Sequence, residues 1–257
     1  SADEPAPMYD GCFDSFTDTD VDVGACQYGD TASSRSIVLF GDSHAMMWFP
    51  ALDAIAEQRH DQLVALAKAT CPPLDLEVFS PDLDEWYWQC DTWREGAVAE
   101  IEALHPAVIV LGFSREYGVS NDQVLVYGSA WMNGLAEMIR TLRSTGADVV
   151  VIGPVPYPPF DVPDCLAAHL YNPYVCSMPD KAPWYDAAGV AAEEKVVQAA
   201  GATYVDVQRW FCSAATCYTL IGNKVAYRDD NHISATYASW LAPALAAELE
   251  LDTHDKL

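Results

Sequence analysis

Two short segments near opposite ends of the chain carry the residue types of nucleophilic catalysis. Gly41-Asp42-Ser43-His44 closes an apolar run, and Tyr227-Arg228-Asp229-Asp230-Asn231-His232-Ile233-Ser234 precedes the last helix-like stretch. A serine hydroxyl is a weak nucleophile at neutral pH and needs a base, which an imidazole becomes when a carboxylate holds its other nitrogen. Asp229 and His232 stand three apart, a spacing at which a turn can set the carboxylate against one ring nitrogen and leave the other facing outward. Asp230 is the alternative orienting acid. Taken singly, Ser43 reads equally well as a helix cap and His232 as a bystander on a surface turn. Together they point to nucleophilic catalysis, with Ser43 as nucleophile and His232 as its base.

The elements that must position these residues alternate between apolar runs and helical patterns. Ser36–Phe40, Leu63–Ala67, Ala107–Leu111, Val149–Ile152 and Ala202–Val207 read as five strands, the first closed by Gly41, the second by Cys71-Pro72-Pro73 and the fourth by Gly153-Pro154. Between them, Met46–Glu57, Gly96–Leu104, the Leu135/Met138/Ile139/Leu142 face and Val190–Ala200 read as helices, with a last helix from Ser234 kinked at Pro243. Such alternation predicts a three-layer α/β/α sandwich around a flavodoxin-like, five-stranded parallel sheet. Chemistry in such sheets sits beyond the carboxyl ends of the strands, which is where Ser43 falls. Residues 1–33 lack periodicity and read as a cysteine-bearing extension or linker, with the catalytic domain spanning 34–257.

Composition narrows the partners. The 257 residues carry 38 acidic against 13 basic side chains, a net charge of −25, with 51% hydrophobic and 11% aromatic residues. That apolar share supports a packed core, so the charge does not mean disorder. A surface this negative repels phosphate backbones and anionic membranes, so no nucleic acid partner is expected. No run reaches the roughly 18 apolar residues of a spanning helix. The start, Ser1-Ala2-Asp3-Glu4-Pro5, lacks the pattern of a signal peptide and reads as a mature product or an excised piece. No nucleotide, metal or organic cofactor motif is present, so no cofactor is expected.

The eight cysteines show no zinc spacing. Read in sequential pairs they close four short loops, Cys12–Cys26, Cys71–Cys90, Cys165–Cys176 and Cys212–Cys217, one pairing among about 105. Their even number favours an oxidising compartment outside the cytoplasm.

Gly41-Asp42-Ser43-His44 after the first strand, Asp229-x-x-His232 before the last helix and the five-strand α/β pattern together resemble the SGNH hydrolase superfamily. Cys71-Pro72-Pro73, Gly153-Pro154-Val155-Pro156 and Asp229-Asp230-Asn231-His232 resemble more closely the extracytoplasmic SGNH domain fused to bacterial acyltransferase-3 type membrane proteins, which O-acylate cell-surface glycans. The resemblance covers roughly residues 34–250, and it implies Ser43 as nucleophile, His232 as base and Asp229 as its orienter. It also implies an oxyanion hole built from the Ser43 N–H, a second N–H at Thr70 or Ala69, and a third donor. The superfamily's third donor is an asparagine. Here the text reads Gly112-Phe113-Ser114-Arg115, so Ser114 or Arg115 must stand in.

Candidate substrate contacts are Asp42, His44, Arg115, Tyr157 on the Pro156–Phe160 loop, and Trp88. Trp88 belongs to an aromatic cluster with Trp86, Tyr87 and Trp93 that reads either as a sugar-stacking platform or as ordinary packing. The resemblance implies transfer of an acyl group, acetyl first among them, to a cell-surface polysaccharide, with a membrane domain of the same polypeptide supplying it. A secreted carbohydrate esterase uses the same residues with water as acceptor. A catalytically silent glycan-binding module is the remaining reading.

Overall fold

Along Ser36–Gly41, Ile37 and Leu39 bury into one core and Val38 and Phe40 into another. That alternation is what a strand shows when both faces of its sheet are covered. The computed structural model describes residues 3–80, 82–117, 126–179 and 186–249. Its main sheet is built from β1 (Phe13–Asp14), β2 (Gln27–Gly29), β3 (Ser36–Gly41), β4 (Gln62–Lys68), β5 (Val108–Gly112), β6 (Asp148–Ile152) and β7 (Thr203–Val205). The order is β1-β4-β3-β5-β6-β7, with β2 also paired to β4. All pairings along that order are parallel.

The principal helices are α1 (Ser43–Met46), α2 (Phe49–Arg59), α3 (Trp88–Leu104), α4 (Ser129–Arg143), α5 (Val162–Ala168), α6 (Ala187–Ala199), α7 (Ala235–Trp240) and α8 (Ala242–Glu248). Leu52 and Ile55 of α2, Tyr237 of α7 and Leu245 of α8 pack into the core that holds Ile37 and Leu39. Trp93 and Ile101 of α3, Leu135 and Ile139 of α4, and Val197 of α6 pack into the core that holds Val38 and Phe40. The result is the expected three-layer α/β/α sandwich, and its five central parallel strands are those read from the apolar runs. Among the described residues, no helix is long and apolar enough to cross a membrane.

Three details differ from the sequence reading. The stretch read as one helix over Met46–Glu57 is two, because Pro50 lies in the first turn of α2 and cannot continue α1. α3 begins at Trp88 rather than Gly96, so the aromatic cluster runs into a helix. Pro243 does not kink one helix but sits in the first turn of α8, separate from α7, whose start is capped by Ser234 as expected (Tyr237 N–H to Ser234 Oγ, 3.1 Å).

The stretch before β3 contributes to the sheet through β1 and β2. β2 pairs antiparallel with Gln62–Val64, and β1 pairs parallel with Ala67 and Lys68, so together they line the outer edge of β4. Lys68, fully buried, fastens them: its ammonium donates to the carbonyls of Ser15 and, at 2.7 Å, of Asp18. Lys68→Met therefore strands two carbonyls, and we expect a loss of about 2–3 kcal/mol in denaturant unfolding. All eight cysteines are paired as Cys12–Cys26, Cys71–Cys90, Cys165–Cys176 and Cys212–Cys217. The first of these staples the loop between β1 and β2.

Candidate active site

The nucleophile turn is shaped by two glycines. Gly41 ends β3 at φ +153°, paired with Gly112 of β5. A Cβ on Gly41 would lie 1.8 Å from the Gly112 carbonyl oxygen, and one on Gly112 would lie 2.7 Å from Ala45 Cα. Only with both side chains missing can α1 sit down on the carboxyl ends of β3 and β5 and present its first residue, Ser43, at the sheet's edge.

Asp42 caps that helix. Its carboxylate accepts the His44 N–H at 2.7 Å, the Ser114 N–H at 2.8 Å and the Tyr117 hydroxyl, so it ties the nucleophile turn to the loop after β5. Burial raises the Asp42 pKa, and these donors and the nearby His232 oppose the rise. Asp42 is thus a buried strut of the nucleophile turn.

The second half of the site is a tight loop. The Arg228 N–H bonds the His232 carbonyl at 3.0 Å, and Tyr227 bridges Ile233. Inside it, Asp229 Oδ1 accepts the N–H groups of Asn231 (2.9 Å) and His232 (2.6 Å), and Oδ2 accepts from His232 Nδ1 at 2.8 Å. His232 Nε2 lies 2.8 Å from Ser43 Oγ. An ionised carboxylate can only accept, so the proton resides on Nδ1 and Nε2 is left to receive the serine hydroxyl. Burial alone would raise the Asp229 pKa, but its hydrogen bonds with His232 hold it well below the usual carboxylate range. Asp229, not Asp230, is therefore the acid on the imidazole. A hydroxyl, an imidazole and a fixed carboxylate in this chain are the parts needed to make an alcohol attack a carbonyl.

His44 packs under this array, its ring 4.7 Å from that of His232 and 5.5 Å, edge-on, from Tyr157. Burial first, then His232 and the nearby guanidinium groups, depresses its pKa well below the usual imidazole value, so it stays neutral. Tyr157 is buried and its hydroxyl, pushed up to about 12 by that burial, accepts the Arg115 N–H at 3.3 Å. Arg115 turns inward: it is paired with Glu193 at 2.6 Å and donates to the carbonyls of Phe113 and Ile152. Its guanidinium is thereby held inside the fold by Glu193 and two carbonyls. Ser114 has its N–H committed to Asp42, and its hydroxyl accepts the Glu116 N–H at 3.0 Å and bonds Tyr157.

After β4, the Ala69 N–H is consumed by the Asp14 carbonyl at 2.9 Å, so of the two candidates only Thr70 keeps a main-chain donor to offer. Thr70 has φ +49°, the left-handed region that a β-branched residue rarely occupies. Strain of this kind persists where the surroundings over-determine the backbone, and here it holds Thr70 in a glycine's conformation at the sheet's carboxyl edge. Thr70→Gly should raise stability by about 1 kcal/mol in chemical denaturation while ester turnover is retained, because a main-chain donor survives the change.

The aromatic cluster divides. Tyr87 and Trp93 are core residues, bonding the Ala69 carbonyl (2.8 Å) and Asp14 Oδ2 (2.6 Å). Trp86 and Trp88 remain exposed, and Trp86 borders a cleft of about 510 Å³ with Asp75, Leu76, Glu77, Asp91, Arg94 and Glu95. Ser43, His44, Ser114, Arg115, Tyr157, Asp229 and His232 thus converge, whereas Trp88 is exposed on the surface. Sequence reasoning missed Tyr117 and Glu193, whose partners lie 75 and 78 residues away and leave no local signal. Cys165, His169 and Cys176 cluster within 4.8 Å, but both sulfurs belong to one disulfide and offer no thiolate.

A parallel α/β sandwich with a Ser-His-Asp array on its carboxyl edge defines an SGNH-type hydrolase fold. The chain belongs to the family described as SGNH domain (fused to AT3 domains), whose sequence model matches residues 11–247. One solved structure similar to it is the periplasmic domain of a lipopolysaccharide acetyltransferase from Salmonella ser. Paratyphi A, at a TM-score of 0.66 and 17% identity over 93% of this chain and 91% of that one. Comparison with curated proteins gives no match.

Proposed function

We propose that this domain transfers an acyl group, acetyl first among the candidates, to a hydroxyl of a cell-surface glycan through an ester on Ser43. His232 Nε2 takes the proton as Ser43 Oγ attacks the acyl carbonyl, and Asp229 stabilises the imidazolium. The Ser43 and Thr70 N–H groups face the developing oxyanion, with the Ser114 hydroxyl as the third donor. Collapse expels the donor's leaving group, which takes its proton from His232. A sugar hydroxyl, deprotonated in turn by His232, then attacks the acyl-serine and frees Ser43.

The observation that carries this reading is the unbroken Ser43–His232–Asp229 chain, both links at 2.8 Å. Membership of a family fused to AT3 domains supports a membrane acyltransferase as the source of the acyl group. The four disulfides support a location outside the cytoplasm. Hydrolysis is the second reading, because the His232 and Asp229 side chains retain 18% and 32% of their exposure and water can reach the base. An assembled triad argues against a silent binding module. Incubation with an activated acetyl ester and an oligosaccharide, followed by mass spectrometry, separates the two: acetylated sugar means transfer, and free acetate alone means an esterase.

A further inference from the structure

The catalytic loop holds a cation that the mechanism does not use. Arg228 is 9% exposed, and its Nε, buried without a hydrogen-bond partner, lies 3.9 Å from Asp229 Oδ2. That is the same oxygen that receives His232 Nδ1 at 2.8 Å. A guanidinium offers a carboxylate a charge-assisted fork, which a single imidazole N–H cannot match. Left alone, Arg228 would compete with His232 for Asp229. What engages it is Glu4, whose Oε1 sits 2.6 Å from Arg228 Nη1. Glu4 is held in place by its neighbour: the Asp3 carbonyl accepts the Ala235 N–H at 3.1 Å, and Asp3 Oδ1 accepts the Thr236 N–H at 3.0 Å, at the start of α7. Asp3 and Glu4 lie outside the stretch that the family model matches.

We infer that Glu4 is a positioning residue, a decoy carboxylate that engages Arg228 and so reserves Asp229 for His232. The N-terminal strap is thereby wired to the triad across 224 residues of chain. Displacing the strap, by tension or by a partner that binds residues 3 and 4, turns the base down without touching Ser43, His232 or Asp229. This role rests on the triad reading above.

The test compares the full chain with Glu4→Gln, Glu4→Gln/Arg228→Met and Ser43→Ala in small-ester hydrolysis, measuring kcat and KM separately and Tm alongside. Glu4→Gln should lower kcat about tenfold with KM within about twofold, a fraction of the loss expected when a triad carboxylate is neutralised. Adding Arg228→Met should restore most of that kcat, because the competing cation has gone. A strap that merely supports the fold would not be repaired by losing its second partner, so a double variant as slow as Glu4→Gln overturns the inference, as does a Glu4→Gln variant with wild-type kcat. Inactive Ser43→Ala beside unaffected Glu4→Gln removes the strap's role alone, whereas active Ser43→Ala removes the triad reading and the strap's role with it.

Discussion

Ser43→Ala lowers kcat for a small activated ester by about five orders of magnitude, His232→Ala falls to a similar floor, and the double variant is no slower than either. The expectation follows from the way the three side chains share one proton path. With Ser43 gone there is no oxygen for His232 to activate, and with His232 gone the hydroxyl keeps its proton, so the second loss adds nothing. Asp229→Asn should cost about ten-thousand-fold, because an amide can present a donor to Nδ1 and leave the wrong nitrogen protonated. What survives in each variant is the contribution of the main-chain donors around the carbonyl. Stopped assays across several enzyme concentrations measure all four proteins, and additive losses in the double variant would contradict a single shared pathway.

The second large effect is on the fold beneath the site. Arg115 and Glu193 are paired at 2.6 Å with side chains 4% and 0% exposed, and Trp131 Nε1 reaches Glu193 at 3.4 Å. Arg115→Leu leaves an uncompensated buried carboxylate and should cost about 3–5 kcal/mol in denaturant unfolding. Arg115→Leu/Glu193→Leu should recover much of that loss, since removing both charges also removes their desolvation penalty. Turnover should track the single variant's stability only in part. The same loop supplies the Ser114 N–H and the Tyr117 hydroxyl to Asp42, so loosening it also loosens the turn that aims Ser43.

Much of this arrangement is legible from residue order because its signals are local. Ser36–Gly41 and Val108–Gly112 announce themselves as strands by unbroken apolar character, and Asp229 and His232 meet inside one turn, where a spacing of three residues is itself the geometry. The four disulfides also close short loops, so proximity in sequence was a fair guide to proximity in space. What order alone does not carry is pairing over long separations. β1 is two residues long and has no period to detect; it is a strand only because β4 offers an edge, with Lys68 gathering the neighbouring carbonyls. The partner of Arg115, Glu193, arrives from α6, 78 residues away, so residue order carries no sign of the pair. Thr70 could be guessed as an oxyanion donor but not chosen over Ala69, since the choice depends on Asp14 capturing the Ala69 N–H.

A covalent ester on one serine is what the whole account stands on, and intact-protein mass spectrometry after rapid mixing with an activated acetyl ester observes it directly. The account predicts one added acetyl group that maps to the peptide containing Ser43, disappears as free product forms, and is missing in Ser43→Ala. Turnover with no adduct on that peptide under conditions that trap one elsewhere, or an adduct that persists in Ser43→Ala, would contradict it.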